Sequence, residues 1–153
     1  MPRARRWTEA AGDDGSASLE FITVGVLLLV PLVYLVLVVS ALQAAALGTE
    51  GAVRQASRVF VQAETETDAR AAAERAIRVT LADYGLDAGA AEVAISCRPD
   101  PADCLARRGF VTIELSIVVP LPLAPPVLGL GVPLGVPVHA VATEQVSRFR
   151  AGP

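Results

Sequence analysis

The chain has little of what catalytic and nucleic-acid-binding sites are usually built from. It contains no lysine, one histidine and two cysteines in 153 residues, and its thirteen arginines are outnumbered by sixteen acidic residues. The net charge of −3 leaves no basic excess to neutralise phosphates, which argues against a nucleic-acid binder. The sequence has no histidine-supported catalytic triad, no phosphate-binding glycine loop and no cluster of metal ligands. We therefore predict neither enzymatic activity nor a metal or cofactor.

Charged residues of both signs are scarce, at 19%, while apolar residues make up 53% of the chain. Soluble globular domains average about 45–50% apolar and about 25% charged residues. A disordered chain is excluded, because it needs few apolar residues and much charge. The length corresponds to about one domain, so the next question is where the apolar residues are concentrated.

The apolar residues are concentrated in one run, Phe21–Leu42, in which 22 consecutive residues carry no charge. As a helix rising ~1.5 Å per residue, this run spans about 33 Å, enough to cross a hydrocarbon core of ~30 Å. A buried core helix is disfavoured, since a small chain cannot surround a helix that is apolar on all sides. A cleaved secretory signal stays open, because the alanines at positions 41 and 44–46 offer a small-residue cleavage site.

A charged residue stands at the start of this run, in the segment GSASLEF at residues 15–21. Ionisable residues within membrane spans are costly and are often functional. Glu20 can also simply mark the interfacial end of the helix, where the positive end of the helix dipole favours an acidic side chain. Position alone does not separate these two interpretations.

The combination of features is more informative than any one of them. Gly15, four further residues, Glu20-Phe21 and the apolar run together resemble the processing site of type IV pilin-like precursors. The sequence is most similar to the TadE-like family (TadE, TadF and TadG), the minor pseudopilins of tight-adherence (Flp) pilus systems. The segment 51–58, GAVRQASR, is similar to the small, arginine-containing helical segment that follows the membrane span in that family.

The resemblance implies a maturation step and an orientation. A membrane prepilin peptidase would cut on the cytoplasmic side between Gly15 and Ser16, which would leave a mature chain of 138 residues. Glu20 and Phe21 would be assembly contacts, with Glu20 paired to the new α-amino group of Ser16 in a neighbouring subunit. The implied location is the cytoplasmic membrane, crossed once, with a cytoplasmic N-terminus and an extracytoplasmic C-terminal domain. The implied partners are membrane lipid, the peptidase, other Tad/Flp pilus subunits and inner-membrane assembly proteins.

Beyond the run, the sequence predicts two helical segments. The first helix is expected to continue through residues 43–61, and residues 62–68 are expected to interrupt the helical structure. An amphipathic helix is then predicted over Asp68–Tyr84, with Thr65 or Thr67 as its N-cap and Gly85 as its terminator.

Alternating apolar residues then predict three strands, at residues 92–97, 110–119 and, less regularly, 136–149. The expected fold is α+β, with a long transmembrane helix that continues outside the membrane and a second helix packed on a small antiparallel three-stranded sheet. The predicted organisation is a cytoplasmic leader at 1–15, the transmembrane and extended helix at 16–61, and an extracytoplasmic domain at 62–153.

The two cysteines, Cys97 and Cys104, flank the turn between the first two predicted strands. In an extracytoplasmic domain a disulfide would close this small loop. A zinc site would need more ligands than His139 and one cysteine pair supply, and a reactive thiol is a further alternative. We interpret His139 as a surface residue of the third strand.

A second charge-free tract has no assigned role in this scheme. Residues 120–137 contain six prolines, which argue against another transmembrane helix because proline removes backbone donors that lipid cannot replace. The tract either packs under its own domain or forms an exposed patch that meets the outer leaflet or a partner subunit. Val127, Leu128 and Leu130 are the candidate contact residues of such a patch.

Two other classes of protein fit the same run of apolar residues. One is a signal-anchored extracytoplasmic binding domain that is not processed at Gly15. The other is a small secreted protein released after the alanine cluster. The identity of the mature N-terminal residue distinguishes all three.

Overall fold

The computed structural model describes residues 14–122 and 135–150, with side chains from Ser18 onwards. Its elements in chain order are the helices α1 (Asp14–Gln62) and α2 (Glu66–Asp83), a 3-10 turn (Ala88–Ala90), and the strands β1 (Ala91–Arg98), β2 (Phe110–Pro120) and β3 (Gly135–Gln145). A long apolar N-terminal helix, a second helix and a three-stranded antiparallel sheet confirm the predicted α+β class. The chain divides into two units within α1, between Leu37 and Val38.

The part of α1 that belongs to the second unit packs mainly through small residues. Its fully buried positions recur at helical spacing and include Ala45, Thr49, Ala52, Ala56 and Phe60. The buried hydroxyls of Thr49 and Ser57 donate to backbone carbonyls of the same helix, at 2.9 Å to Ala45 and 3.0 Å to Arg54. This face is therefore buried without leaving either hydroxyl unsatisfied.

Gly48 and Gly51 lie where α1 meets the second helix. A Cβ atom at Gly48 would be 3.0 Å from the Cβ of Tyr84, and one at Gly51 would be 3.5 Å from the Cγ2 of Thr80. Helix propensity alone expects each glycine to weaken α1 by ~1 kcal/mol relative to alanine. The structure gives Gly48 a packing role, because even a methyl group there would force Tyr84 to shift.

α2 begins at Glu66, two residues before the predicted start, so that Thr65 and not Thr67 is its N-cap, and Gly85 ends it as predicted. The Thr65 hydroxyl oxygen accepts a hydrogen bond from the backbone N–H of Asp68 (3.1 Å), and the hydroxyl donates to the carboxylate of Asp68 (2.8 Å). Gly85 adopts a φ of +69°, and the N–H of Leu86 donates to the carbonyl of Leu81 (2.9 Å). Helical spacing predicts one apolar face for this helix. Four of its residues are buried, Ala69, Ala73, Ile77 and Leu81, whereas Ala76 is only partly buried and Tyr84 is 43% exposed.

The sheet is built around β2, which pairs antiparallel with β1 on one side and β3 on the other. The odd-numbered residues of β2 are buried, as its period-two pattern predicts: Val111, Ile113, Leu115, Ile117 and Val119. The first three of these join Phe60 and the buried face of α2 in one hydrophobic cluster. The two helical segments therefore cover one face of the sheet.

The two outer strands differ from their predictions in detail. β3 ends at Gln145, four residues before the predicted end. The next residue, Val146, still donates its N–H to the carbonyl of Gly109 in the same register, and the chain then turns, with the N–H of Arg150 donating to the carbonyl of Ser147. In β1, the alternation predicts one face for Val93, Ile95 and Cys97, yet Val93 is 42% exposed. Its strand pairs on one side only, so a side chain there is less completely covered than one on β2.

Candidate functional site

The predicted processing site lies at the beginning of α1. The helix begins at Asp14, so Gly15 and Ser16 both belong to its first turn. The backbone N–H groups of a first turn have no acceptor within the helix, and helix ends fray. A peptidase that binds an extended backbone would need to unwind only this turn.

The next part of α1 has an apolar surface that no described residue covers. Every side chain from Ser18 to Leu37 is exposed, and Phe21 is 80% exposed. A Cβ atom added at Gly25 would meet no atom within 4 Å. In the described part of the chain this is the one helix that is long and apolar enough to cross a membrane, a property that membrane anchors share with signal sequences. So much contiguous apolar surface requires a lipid or protein environment.

Glu20 is the acidic residue on this surface. It lies immediately before Phe21 and is exposed. The ion pairs among the described residues are Glu50–Arg54 at 2.8 Å, Glu66–Arg70 at 2.6 Å and Glu74–Arg78 at 3.9 Å, and none of them includes Glu20.

Burial of α1 begins where the apolar run ends. Leu42 is partly buried and Ala45 is completely buried, and both pack in a small cluster with Ile117 and Val119 of β2. Val138 of β3 also packs against this cluster. The last residues of the apolar run therefore contact the end of the sheet at which β2 ends and β3 begins.

Cys97 and Cys104 form a disulfide that closes the start of the β1–β2 connection, with Cα atoms 5.1 Å apart. Both cysteines are buried, at 5% and 3% exposure, and belong to the main hydrophobic cluster. Within the loop, the carboxylates of Asp100 and Asp103 each accept a hydrogen bond from the backbone N–H two residues on. Because the two sulfur atoms are bonded to each other, neither cysteine is a free thiol.

Replacing both cysteines by alanine should lower the free energy of unfolding by roughly 2–3 kcal/mol, because the loop between them would no longer be constrained in the unfolded chain. Hydrogen exchange of the amides of β2, measured on the full chain in detergent, would report the change. The same loss is expected when the unaltered protein is reduced, whereas reductant should not affect the double variant. Equal exchange rates in all four samples would contradict this prediction.

The sequence gives no indication of the structural role of Arg150. Its guanidinium donates to the carbonyl oxygens of Val61 (3.3 Å) and Glu64 (2.7 Å), and also to that of Ala63. α1 has no basic residue in its last turn, so Arg150 supplies the positive charge that the C-terminal end of a helix favours. No local pattern could have revealed this contact, because 86 residues separate Arg150 from its nearest partner in the chain.

The remaining candidate residues do not form a site with those above. Val127, Leu128 and Leu130 lie outside the described residues. His139 is exposed on β3, opposite Ser116 of β2. Within residues 14–122 and 135–150, no three His, Cys, Asp or Glu side chains are grouped so that they could hold a metal ion.

The candidate functional site is therefore the N-terminal part of α1: the Gly15–Ser16 bond, Glu20 and the uncovered apolar surface after it. Comparisons of the chain with protein-family models, with curated proteins and with solved structures found no match.

Proposed function

We propose that this protein is a pilin-like minor subunit of the TadE type, which a prepilin peptidase processes after Gly15 for assembly of a Flp/Tad-type pilus. Its α1 helix crosses the cytoplasmic membrane once, from a cytoplasmic N-terminus, and residues beyond the apolar run form an extracytoplasmic α+β domain. Its partners are the peptidase, other pilus subunits and inner-membrane assembly proteins. The protein has no catalytic role of its own.

One observation carries this proposal: Gly15 lies five residues before Glu20, the acidic residue at the start of the uncovered apolar part of α1. Gly15 and Glu20 are separated by little more than one turn of α1. Cleavage after Gly15 would create an α-amino group on Ser16, and residues 16 and 20 lie on the same side of a helix. A subunit in lipid would then present a cation and an anion on one side of the helix, about one turn apart, so that neighbouring subunits shifted by about that distance can satisfy each other's charges.

The packing of α1 favours a retained helix over a secreted product. Release after the alanine cluster would cut α1 at residues that are helical and, at Ala45, completely buried. It would also remove Leu42, which packs against the sheet. A signal peptidase needs an accessible, extended segment. This part of α1 is instead helical and packs against the sheet of the second unit.

The disulfide supports the assignment of the second unit to the extracytoplasmic side. Disulfides persist in oxidising compartments and are rare in the cytosol. Cys97 and Cys104 lie more than fifty residues beyond the end of the apolar run at Leu42. A single crossing of the membrane within that run places the cysteines opposite a cytoplasmic N-terminus.

The N-terminal residue of the mature protein tests the proposal. We expect intact-mass and N-terminal peptide mass spectrometry of the protein from its native host to identify Ser16 as the first residue. Substitution of Gly15 by leucine should block the cut, because the side chain obstructs the extended backbone that the peptidase must bind. The matched control is Gly25→Ala in the same helix, where the added Cβ meets no neighbour and processing should be unchanged.

The other possible starts each contradict the proposal in a different way. A protein that begins at residue 1 or 2 would be an unprocessed signal-anchored domain. A protein that begins near Ala45 would be a secreted product. Cleavage at Ser16 in the Gly15→Leu variant would show that the resemblance of this segment to a pilin-type processing site is fortuitous.

A further inference from the structure

The end of the sheet next to Leu42 has a different chemical character from the opposite end. Residues 117–138, which include the end of β2 and the start of β3, contain no charged side chain. The other end of the sheet, where β1 and β3 end and β2 begins, has five arginines in or close to it: Arg98, Arg107, Arg108, Arg148 and Arg150. The sheet is thus polarised along the strand direction. Outside the sheet, Asp87 lies beside its charge-free end, next to Leu86, which packs against Ile117 and Val119.

The contacts of the second unit place its charge-free end close to the apolar run. Ala45, which packs against Ile117 and Val119, follows Leu42 by three residues, or ~4.5 Å along the helix axis. In the sheet, the first ionisable side chains next to this end are Glu92 and His139, on either side of Ser116. Pro120 lies four residues further along β2, ~13 Å at the rise of a strand.

Apolar side chains at this end remain uncovered by the described residues. Val118 is 51% exposed, Pro120 is exposed, and Leu121 is partly exposed. An aqueous surface at this position would be expected to carry charged residues, whereas a surface in contact with lipid excludes them.

We propose that the end of the second unit formed by Val118–Leu121 and the start of β3 lies against the lipid surface, beside the point where α1 leaves the bilayer. The inference rests on the proposed function only for the membrane crossing by α1. Contact with lipid buries the exposed apolar side chains and gives the domain a fixed orientation, with its arginine-rich end directed away from the membrane. The strands of the sheet then run roughly perpendicular to the membrane plane.

Tryptophan quenching tests this orientation on the full chain. The only native tryptophan, Trp7, is replaced by phenylalanine, and single tryptophans are introduced as Leu29→Trp, Leu121→Trp or Phe110→Trp. The proteins are reconstituted in phosphatidylcholine vesicles with acyl chains brominated near their carbonyl end for the residues of the second unit, and near the middle of the chain for Leu29→Trp, which lies close to the centre of the apolar run. Phe110 is the matched control, because it is a half-exposed residue at the opposite end of β2, ten residues or ~33 Å from Pro120.

We expect brominated lipid to quench the emission of the Leu29→Trp and Leu121→Trp proteins strongly, and to leave that of Phe110→Trp unchanged. Val118→Trp, at a half-exposed position, is a second probe of the same end if Leu121→Trp does not form the Cys97–Cys104 disulfide.

Several outcomes would overturn the inference. Quenching at Leu29 without quenching at Leu121 or Val118 would mean that this end stands clear of lipid. A blue shift at Leu121 without quenching would mean that protein covers it, and equal quenching at Leu121 and Phe110 would mean that the sheet lies flat. Absence of quenching at Leu29 would instead contradict the membrane crossing, and with it the proposed function.

Discussion

Replacing Glu20 by glutamine is expected to leave processing after Gly15 intact and to abolish incorporation of the protein into the pilus assembly. The substitution keeps the size of the side chain but removes the charge that, in the proposed function, pairs with the α-amino group of a neighbouring Ser16. Truncating one partner of a desolvated charge pair typically weakens association by more than about tenfold. Counting of surface pili and co-purification of the protein with other pilus subunits would measure the loss.

Two further variants isolate the charge as the cause. Glu20→Asp retains the carboxylate and should assemble more efficiently than Glu20→Gln. Glu50→Gln removes an acidic residue of the same helix beyond the apolar run, where the carboxylate pairs with Arg54 at an exposed position, and assembly should be unaffected. Normal pili with Glu20→Gln, processed at Ser16, would show that Glu20 only marks the end of the helix.

Substituting Phe60 by alanine is expected to lower the free energy of unfolding of the second unit by about 3–5 kcal/mol. Phe60 is completely buried near the end of α1, in the cluster that also contains Ala69 of α2 and Ile113 of β2. Removal of its ring leaves a cavity at the junction of three elements, because the helices and the sheet cannot collapse independently. Most domains are only 5–15 kcal/mol more stable than their unfolded chains, so this loss is a large share of the total.

Hydrogen exchange of the β2 amides in the full-length protein in detergent would measure this loss, because the central strand of a sheet exchanges only through extensive unfolding. The same chemical change at Phe149, which is 80% exposed and stacked with Arg148, should cost less than about 1 kcal/mol. Comparable destabilisation by the two variants would contradict the assignment of Phe60 to the core. The Phe60→Ala chain should still be processed at Gly15, since the cut lies in the other unit.

Much of the candidate site could be predicted from the sequence because it depends on residues that are close together in the chain. The spacing from Gly15 to Glu20 and the apolar run after it are visible without a structure, and the helix over them follows from their composition. The structure adds that α1 begins at Asp14 and that its surface stays uncovered as far as Leu37. It leaves the cleavage and the membrane crossing as predictions.

The limits of prediction are clearest at the glycines of α1 and at Arg150. Intrinsic propensity treats Gly48 as a defect in a helix, whereas its neighbour across the interface, Tyr84, makes it the residue that fits. Arg150 has no local partner, and its role depends on carbonyls at the far end of a helix. Val93 follows the period of a core residue but stays half exposed, because periodicity identifies a face and not how well that face is covered.

The elements can be read from the sequence alone: the apolar helix, a threonine cap at Thr65 or Thr67 and the Gly85 stop of α2, and the alternation of β2. Each of these depends on backbone and side-chain preferences within a few residues. Three features depend on the complete fold: which end of the sheet meets Leu42, the opposite positions of the charge-free and arginine-rich ends, and the residues that close the end of α1. These features arise from contacts between segments that are far apart in the chain. A local sequence pattern does not report the free energy of such contacts.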